Sequence, residues 1–309
     1  MSPRFPATRL QRELDEQLVE SAEKGNASNV LLFLERGANP IANNSLPLYW
    51  ASENGHAECV RLLAPLSDPQ ARNSRSLARA AYNGHVECVR ILIPFSDPQA
   101  DNSGALGNAA LNGHIECVKL LAPVSDPEAA ESSALCQASA NGHVECVKLL
   151  LSASNPSVDT SRALSWASLH GHVECVKALL PTSQPTSRGW ATALSNVVKG
   201  GHAECFRLLL SASGTLADPK KNFAQALCSG HAEIMAILLE HEPRLPGDID
   251  LALSRQQAQR QGFHEIATLC LALMDRRELS VSTSLPAASP MPETTPTCPR
   301  GSSKPAPRL

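Results

Sequence analysis

Aromatic residues are scarce in this chain: six Phe, three Trp and two Tyr amount to 4% of 309 residues. A core built without many rings has to be thin and filled by smaller aliphatic side chains. Charge of one sign is also lacking. Lys and Arg number 27 against 30 Asp and Glu, for a net −3, so the whole molecule offers no field to nucleic acid or to an anionic membrane, and neither partner is expected. No stretch approaches the ~20 apolar residues of a membrane span. Met1 to Asp15 carries Arg4, Arg9, Arg12 and Glu13 where a signal peptide needs its apolar run. The expected location is cytoplasmic, whether the protein is made there or delivered there. Missing too are a phosphate-cradling Gly loop, a paired-carboxylate signature and a nucleophile elbow. No enzymatic activity and no cofactor are expected.

What the chain has is repetition. Gly-His recurs at Gly55-His56, Gly84-His85, Gly113-His114, Gly142-His143, Gly171-His172, Gly201-His202 and Gly230-His231, in steps of 29, 29, 29, 29, 30 and 29 residues. Degenerate copies stand at Gly25-Asn26 and Gly262-Phe263-His264. A period in this range is the mark of a stacked array, so about nine units are expected. Before each Gly, Leu48, Leu77, Leu106, Leu135, Leu164 and Leu194 fall seven positions upstream, followed by small residues such as Ala80-Ala81. That spacing gives a helix with one narrow apolar face. Ser45, Ser74, Ser103, Ser132 and Ser161, ten before the Gly, are expected to cap it. The Gly ends this helix in the left-handed conformation. A second helix follows, as in His143-Val-Glu-Cys-Val-Lys-Leu-Leu-Leu151, with Cys, Val and Leu inward and Glu145 and Lys148 outward. Pro65, Pro94, Pro123 and Pro181 stop it, and Ser-Asp-Pro turns at 67–69, 96–98 and 125–127 lead to the next unit.

These residues resemble the ankyrin repeat family, whose pattern is a Pro-Leu-x-x-Ala-Ala run, then Gly-His-x-Glu-x-Val and a Leu run. Pro47-Leu48 and Glu35-Arg36-Gly37-Ala38-Asn39-Pro40 read alike. The resemblance covers Leu14 to Met274. It implies an all-α helix-pair solenoid that binds other proteins. The units run 29 residues rather than about 33, and the shortfall lies where the family forms a β-hairpin finger, so the fingers are expected to be shortened or absent. The array is expected over 9–279 as a monomer, between a flexible 1–8 and a disordered Ser/Thr/Pro-rich 280–309.

The chemistry-bearing residues are weighed against this architecture. Of ten Cys, six (Cys59, Cys88, Cys117, Cys146, Cys175 and Cys205) recur at one place in the unit. Such rungs read as packing rather than as a disulfide framework. His56 and Cys59 could share a helix side, but neighbouring helices stand about 8–10 Å apart, too far for a second pair to close a zinc shell of about 2.0–2.3 Å bonds. A metal or enzymatic role for this His-Cys ladder is the second reading.

The first reading comes from what varies. Positions nine, five and two before the Gly point away from the apolar face. Along the chain they hold Leu46-Trp50-Glu53, Arg75-Arg79-Tyr82, Gly104-Asn108-Leu111, Ser133-Gln137-Ala140, Arg162-Trp166-Leu169 and Thr192-Asn196-Lys199. Trp, Tyr and Arg dominate protein interfaces. The family resemblance implies that this face lines a concave groove. Trp50, Glu53, Arg75, Arg79, Tyr82, Asn108, Leu111, Gln137, Arg162, Trp166, Leu169, Asn196 and Lys199 are the candidate residues for a protein or peptide partner.

Overall fold

The computed structural model describes residues 9–153, 160–184, 188–213, 218–241 and 249–284. Among the described residues, eighteen α-helices make nine consecutive pairs. The first four are α1 (Arg9–Glu23) with α2 (Ala27–Glu35), α3 (Ala42–Glu53) with α4 (Ala57–Leu63), α5 (Ala71–Tyr82) with α6 (Val86–Leu92), and α7 (Ala100–Leu111) with α8 (Ile115–Leu121). Then come α9 (Ala129–Ala140) with α10 (Val144–Ala153), α11 (Ser161–Leu169) with α12 (Val173–Leu179), and α13 (Arg188–Gly200) with α14 (Ala203–Ser213). The last are α15 (Pro219–Ser229) with α16 (Ala232–His241), and α17 (Leu251–Gln261) with α18 (His264–Ser284). No strand occurs among the described residues. Where a finger would stand there is a tight turn, in which Asp68, Asp97 and Asp126 accept from the N–H two residues on, at 3.1, 3.0 and 2.9 Å. α18 runs through the expected limit at 279 to Ser284, while 1–8 and the rest of the expected tail lie outside the described residues.

One continuous core runs the length of the array. Leu48, Leu77, Leu106, Leu164, Val60, Val89, Val118 and Val147 are fully buried, and the Cys rungs lie among them. From α1 to α15 consecutive first helices pack on one another more extensively than consecutive second helices do, and the order reverses between the last two units.

Two sets of hydrogen bonds join each unit to the next. At the glycine end, each His begins the second helix and its ring reaches back. His56 Nε2 donates to the Glu23 carbonyl at 3.0 Å, His85 to Glu53, His114 to Tyr82, His143 to Leu111, and so on to His231 and Lys199. A carbonyl can only accept, which fixes the proton on Nε2. The accepting residue lies in the last turn of the preceding first helix, where carbonyls are left without intrahelical partners and the helix dipole is negative. The Asn54, Asn83 and Asn112 side chains donate to the same carbonyls.

At the other end the structure corrects the capping expectation. Ser45, Ser74 and Ser103 are buried with φ of 59, 56 and 60°, left-handed rather than cap-like. Each Oγ accepts from the N–H of Asp68, Asp97 or Asp126 in the following turn, at 2.8, 2.9 and 3.0 Å. In α3 and α7 the two residues before the Ser are left-handed as well: Asn43-Asn44 and Asp101-Asn102. Asn and Asp tolerate that region best among non-glycine residues. The serine is a pin between units.

Candidate binding groove

On the first helices, positions seven, four and three before the Gly are buried, as in Leu77, Ala80 and Ala81 of α5 or Leu194, Val197 and Val198 of α13. The candidate residues occupy the other side, and none of the thirteen is buried. They gather at three stations along the face of the first helices.

The first station lies between α3 and α5. Trp50 and Arg75 line a cavity of about 300 Å³ together with Tyr49, Leu46 and the left-handed Asn43 and Asn44. Tyr49 packs edge-on against Trp50, with ring centroids 5.2 Å apart. The Arg75 guanidinium lies over the Tyr49 ring, 4.8 Å from its centroid, and Arg79 lies over Tyr82 at 5.8 Å. Such stacking holds a planar cation in place while leaving its N–H edge free to donate. Arg79 also sits 3.8 Å from Glu53. Burial pushes the Tyr49 hydroxyl above its ordinary pKa, helped by its hydrogen bond to Glu53. Tyr49 was not among the expected site residues, because it stands one position off the stripe. Its adjacency to Trp50 was the available signal.

The second station lies between α7 and α9, where Asn108 and Gln137 line a cavity of about 250 Å³. Among the described residues, Gln137 Oε1 is buried there without a hydrogen-bond partner. Asn108 points its amide at the Ala78 carbonyl, 3.4 Å away, and so also ties α7 to α5. Leu111 is half-buried nearby on the same face.

At the third station Trp166 is 41% exposed and stacks on His170, with centroids 6.3 Å apart and planes 8° from parallel. His170 stands where the earlier units have Asn54, Asn83, Asn112 and Asn141, and it too lay outside the expected set. Arg162 is exposed and Leu169 half-buried beside it. The Asn196 amide donates to Ser165, at 3.2 Å to the carbonyl and 3.0 Å to the hydroxyl, so this residue joins α13 to α11. Lys199 is exposed beyond them.

The His-Cys ladder has a different character. Its histidine Nε2 atoms are engaged by carbonyls, and the Nδ1 side packs against the glycine of the preceding unit. Among the described residues no three His, Cys, Asp or Glu side chains converge as metal ligands would. Burial, followed by the neighbouring Glu, pushes the thiols of Cys88, Cys117, Cys175 and Cys205 up to about 11. At pH 8 the thiolate fraction of such a group is roughly one in a thousand, before its inaccessibility is counted. A thiol reagent should therefore label the exposed Cys228 in native protein and spare these four until denaturant is added. Fast native labelling of Cys117 would contradict the packing role. A raised folded pKa also carries a sign: the stabilisation is complete below the ordinary 9.0 and is lost as pH rises through about 11. Alkaline unfolding in that window is the expected consequence.

Stacked helix pairs with a continuous core and one variable face define a solenoid repeat protein, a class that binds through extended surfaces. A family model described as ankyrin repeats (3 copies) matches residues 18–103, 66–130, 106–189 and 164–250, and the chain belongs to the ankyrin repeat family. No curated protein matches it. Ankyrin repeats are generally protein–protein interaction modules and typically non-enzymatic. No described helix is long and apolar enough to cross a membrane.

Proposed function

We propose that the chain is a monomeric interaction scaffold or adaptor that holds a partner protein or peptide along the inner face of its first helices. One observation carries this reading. The large aromatic and arginine side chains Trp50, Arg75, Arg79, Tyr82 and Trp166 stand on a surface that the core does not use. Interfaces concentrate their energy in such residues.

The test uses peptides selected from a random display library on the intact chain. Truncating a true hot spot removes about 2 kcal/mol or more, roughly a thirtyfold loss of affinity. The Trp50→Ala/Trp166→Ala double variant should keep its thermal midpoint and lose the selected peptides by at least that factor. Unchanged affinity in the double variant would place binding elsewhere on the molecule.

A further inference from the structure

The groove has an electrical direction that net charge conceals. In the first two units, positions nine, five and two before the Gly hold Glu16, Glu20, Glu23 and Glu53 and no cation. In units three to nine the same positions hold Arg75, Arg79, Arg162, Lys199, Lys221 and Arg260 and no acid. All ten are exposed or half-buried.

Local pairing does not cancel the pattern. Lys24 pairs with Glu20 at the acidic end, and Arg79 with Glu53 at the boundary. Asp101 and Asp126 stand at the rim of the second station, where Asp126 already accepts from the Glu128 N–H at 2.9 Å. The outer helices are balanced pair by pair instead. There Glu87, Glu116, Glu145 and Glu174 occupy first turns, where the helix dipole favours them, each paired with a Lys or Arg three residues on. The groove thus carries its cations at units three and six to nine, with two carboxylates at the rim of the second station between them.

We infer that the groove takes an acidic, extended peptide segment over units three to nine, with the basic end of that segment over units one and two. This rests on the groove reading above and adds the partner's chemistry and its orientation. Units three to nine are six steps of about 10 Å each, a span that about 18 extended residues cross at about 3.3 Å per residue. The first station lies at the change of sign. There the Arg75 guanidinium faces a cavity with no carboxylate within ion-pair distance among the described residues, which suits a Glu, an Asp or a terminal carboxylate. A nucleic acid or another uniform polyanion would meet four glutamates at one end of the same groove.

The test selects random peptides of about 18 residues on the full chain and reads their charge pattern. Enriched peptides should be acidic over most of their length, with Lys or Arg confined to one and the same end. Arg75→Glu/Arg162→Glu/Lys199→Glu/Lys221→Glu should weaken them about tenfold or more, mainly through a slower association that salt also slows. Glu16→Lys/Glu20→Lys/Glu23→Lys, at the other end, should weaken the same peptides and favour ones lacking the basic end, a check that survives if the fourfold variant misfolds. Neutral peptides that are nonetheless lost on Trp50→Ala/Trp166→Ala would overturn the polarity and leave the groove reading standing. Peptides indifferent to every one of these substitutions would overturn both. Heparin or homopolymeric RNA binding as tightly as the best peptide would overturn the peptide in favour of a polyanion.

Discussion

Leu135→Ala is expected to destabilise the fold by about 2–5 kcal/mol, the range for a leucine removed from a packed core. Leu135 is 1% exposed, seven residues before the Gly of α9, and lies within the continuous core. The deleted methyl groups leave a void that the short helices of two adjoining units cannot fill without moving apart. Trp166→Ala removes a larger side chain but should leave the midpoint nearly unchanged, because its ring is 41% exposed and its ring partner is His170 on the surface. Urea unfolding followed by circular dichroism measures both. The ordering of the two matters more than either value. Should Trp166→Ala unfold the protein as readily as Leu135→Ala, that aromatic belongs to the core and the groove assignment loses its third station.

The contrast between these two residues was legible in the sequence because it depends only on helical period. A leucine seven before the Gly and a tryptophan five before it are 200° apart around the helix at 100° per residue, and no partner need be known to place them. The helix pairs and the shortened turns followed from the same period and from the Ser-Asp-Pro punctuation. Bonds between units were not legible. A serine before a helix is ordinarily a cap that serves a donor two or three residues on, whereas Ser45, Ser74 and Ser103 serve a donor 23 residues on, in the next unit. The repeated histidine was likewise visible as a rung, but its acceptor lies 32 or 33 residues back and shares no residue type: Glu, Tyr, Leu, Ala or Lys, since only the carbonyl matters. The exposed face of the first helices was half legible. Its position followed from geometry, while the stacking of Arg75 on Tyr49 joins two neighbouring units and so appears only once they are packed.

Those bonds between units make one further substitution severe. Gly113 has φ of +74°, and a Cβ placed there would fall 2.5 Å from His143 Nδ1. Gly113→Val should therefore be penalised twice. A β-branched residue in the left-handed region is disfavoured by about 1–2 kcal/mol or more. The His143 ring must also leave, which breaks its bond to the Leu111 carbonyl and removes about 1 kcal/mol more. A total loss of about 3 kcal/mol is expected. Gly37 provides the control, since it has φ of +88° with nothing within 4 Å of the added Cβ. Gly37→Val carries the backbone penalty alone, so the difference between the two variants isolates the ring contact. Stability in a stacked array is a sum of unit and interface contributions, and Gly113→Val strikes the interface between the fourth unit and the fifth. Its urea unfolding should split into two steps, with the units on one side of that interface melting before those on the other. Gly37→Val, at the end of the first unit, should broaden the transition at most. A single sharp step for Gly113→Val, shifted no further than that of Gly37→Val, would mean that the histidine ladder does not couple the units and that the apolar core alone holds the array together.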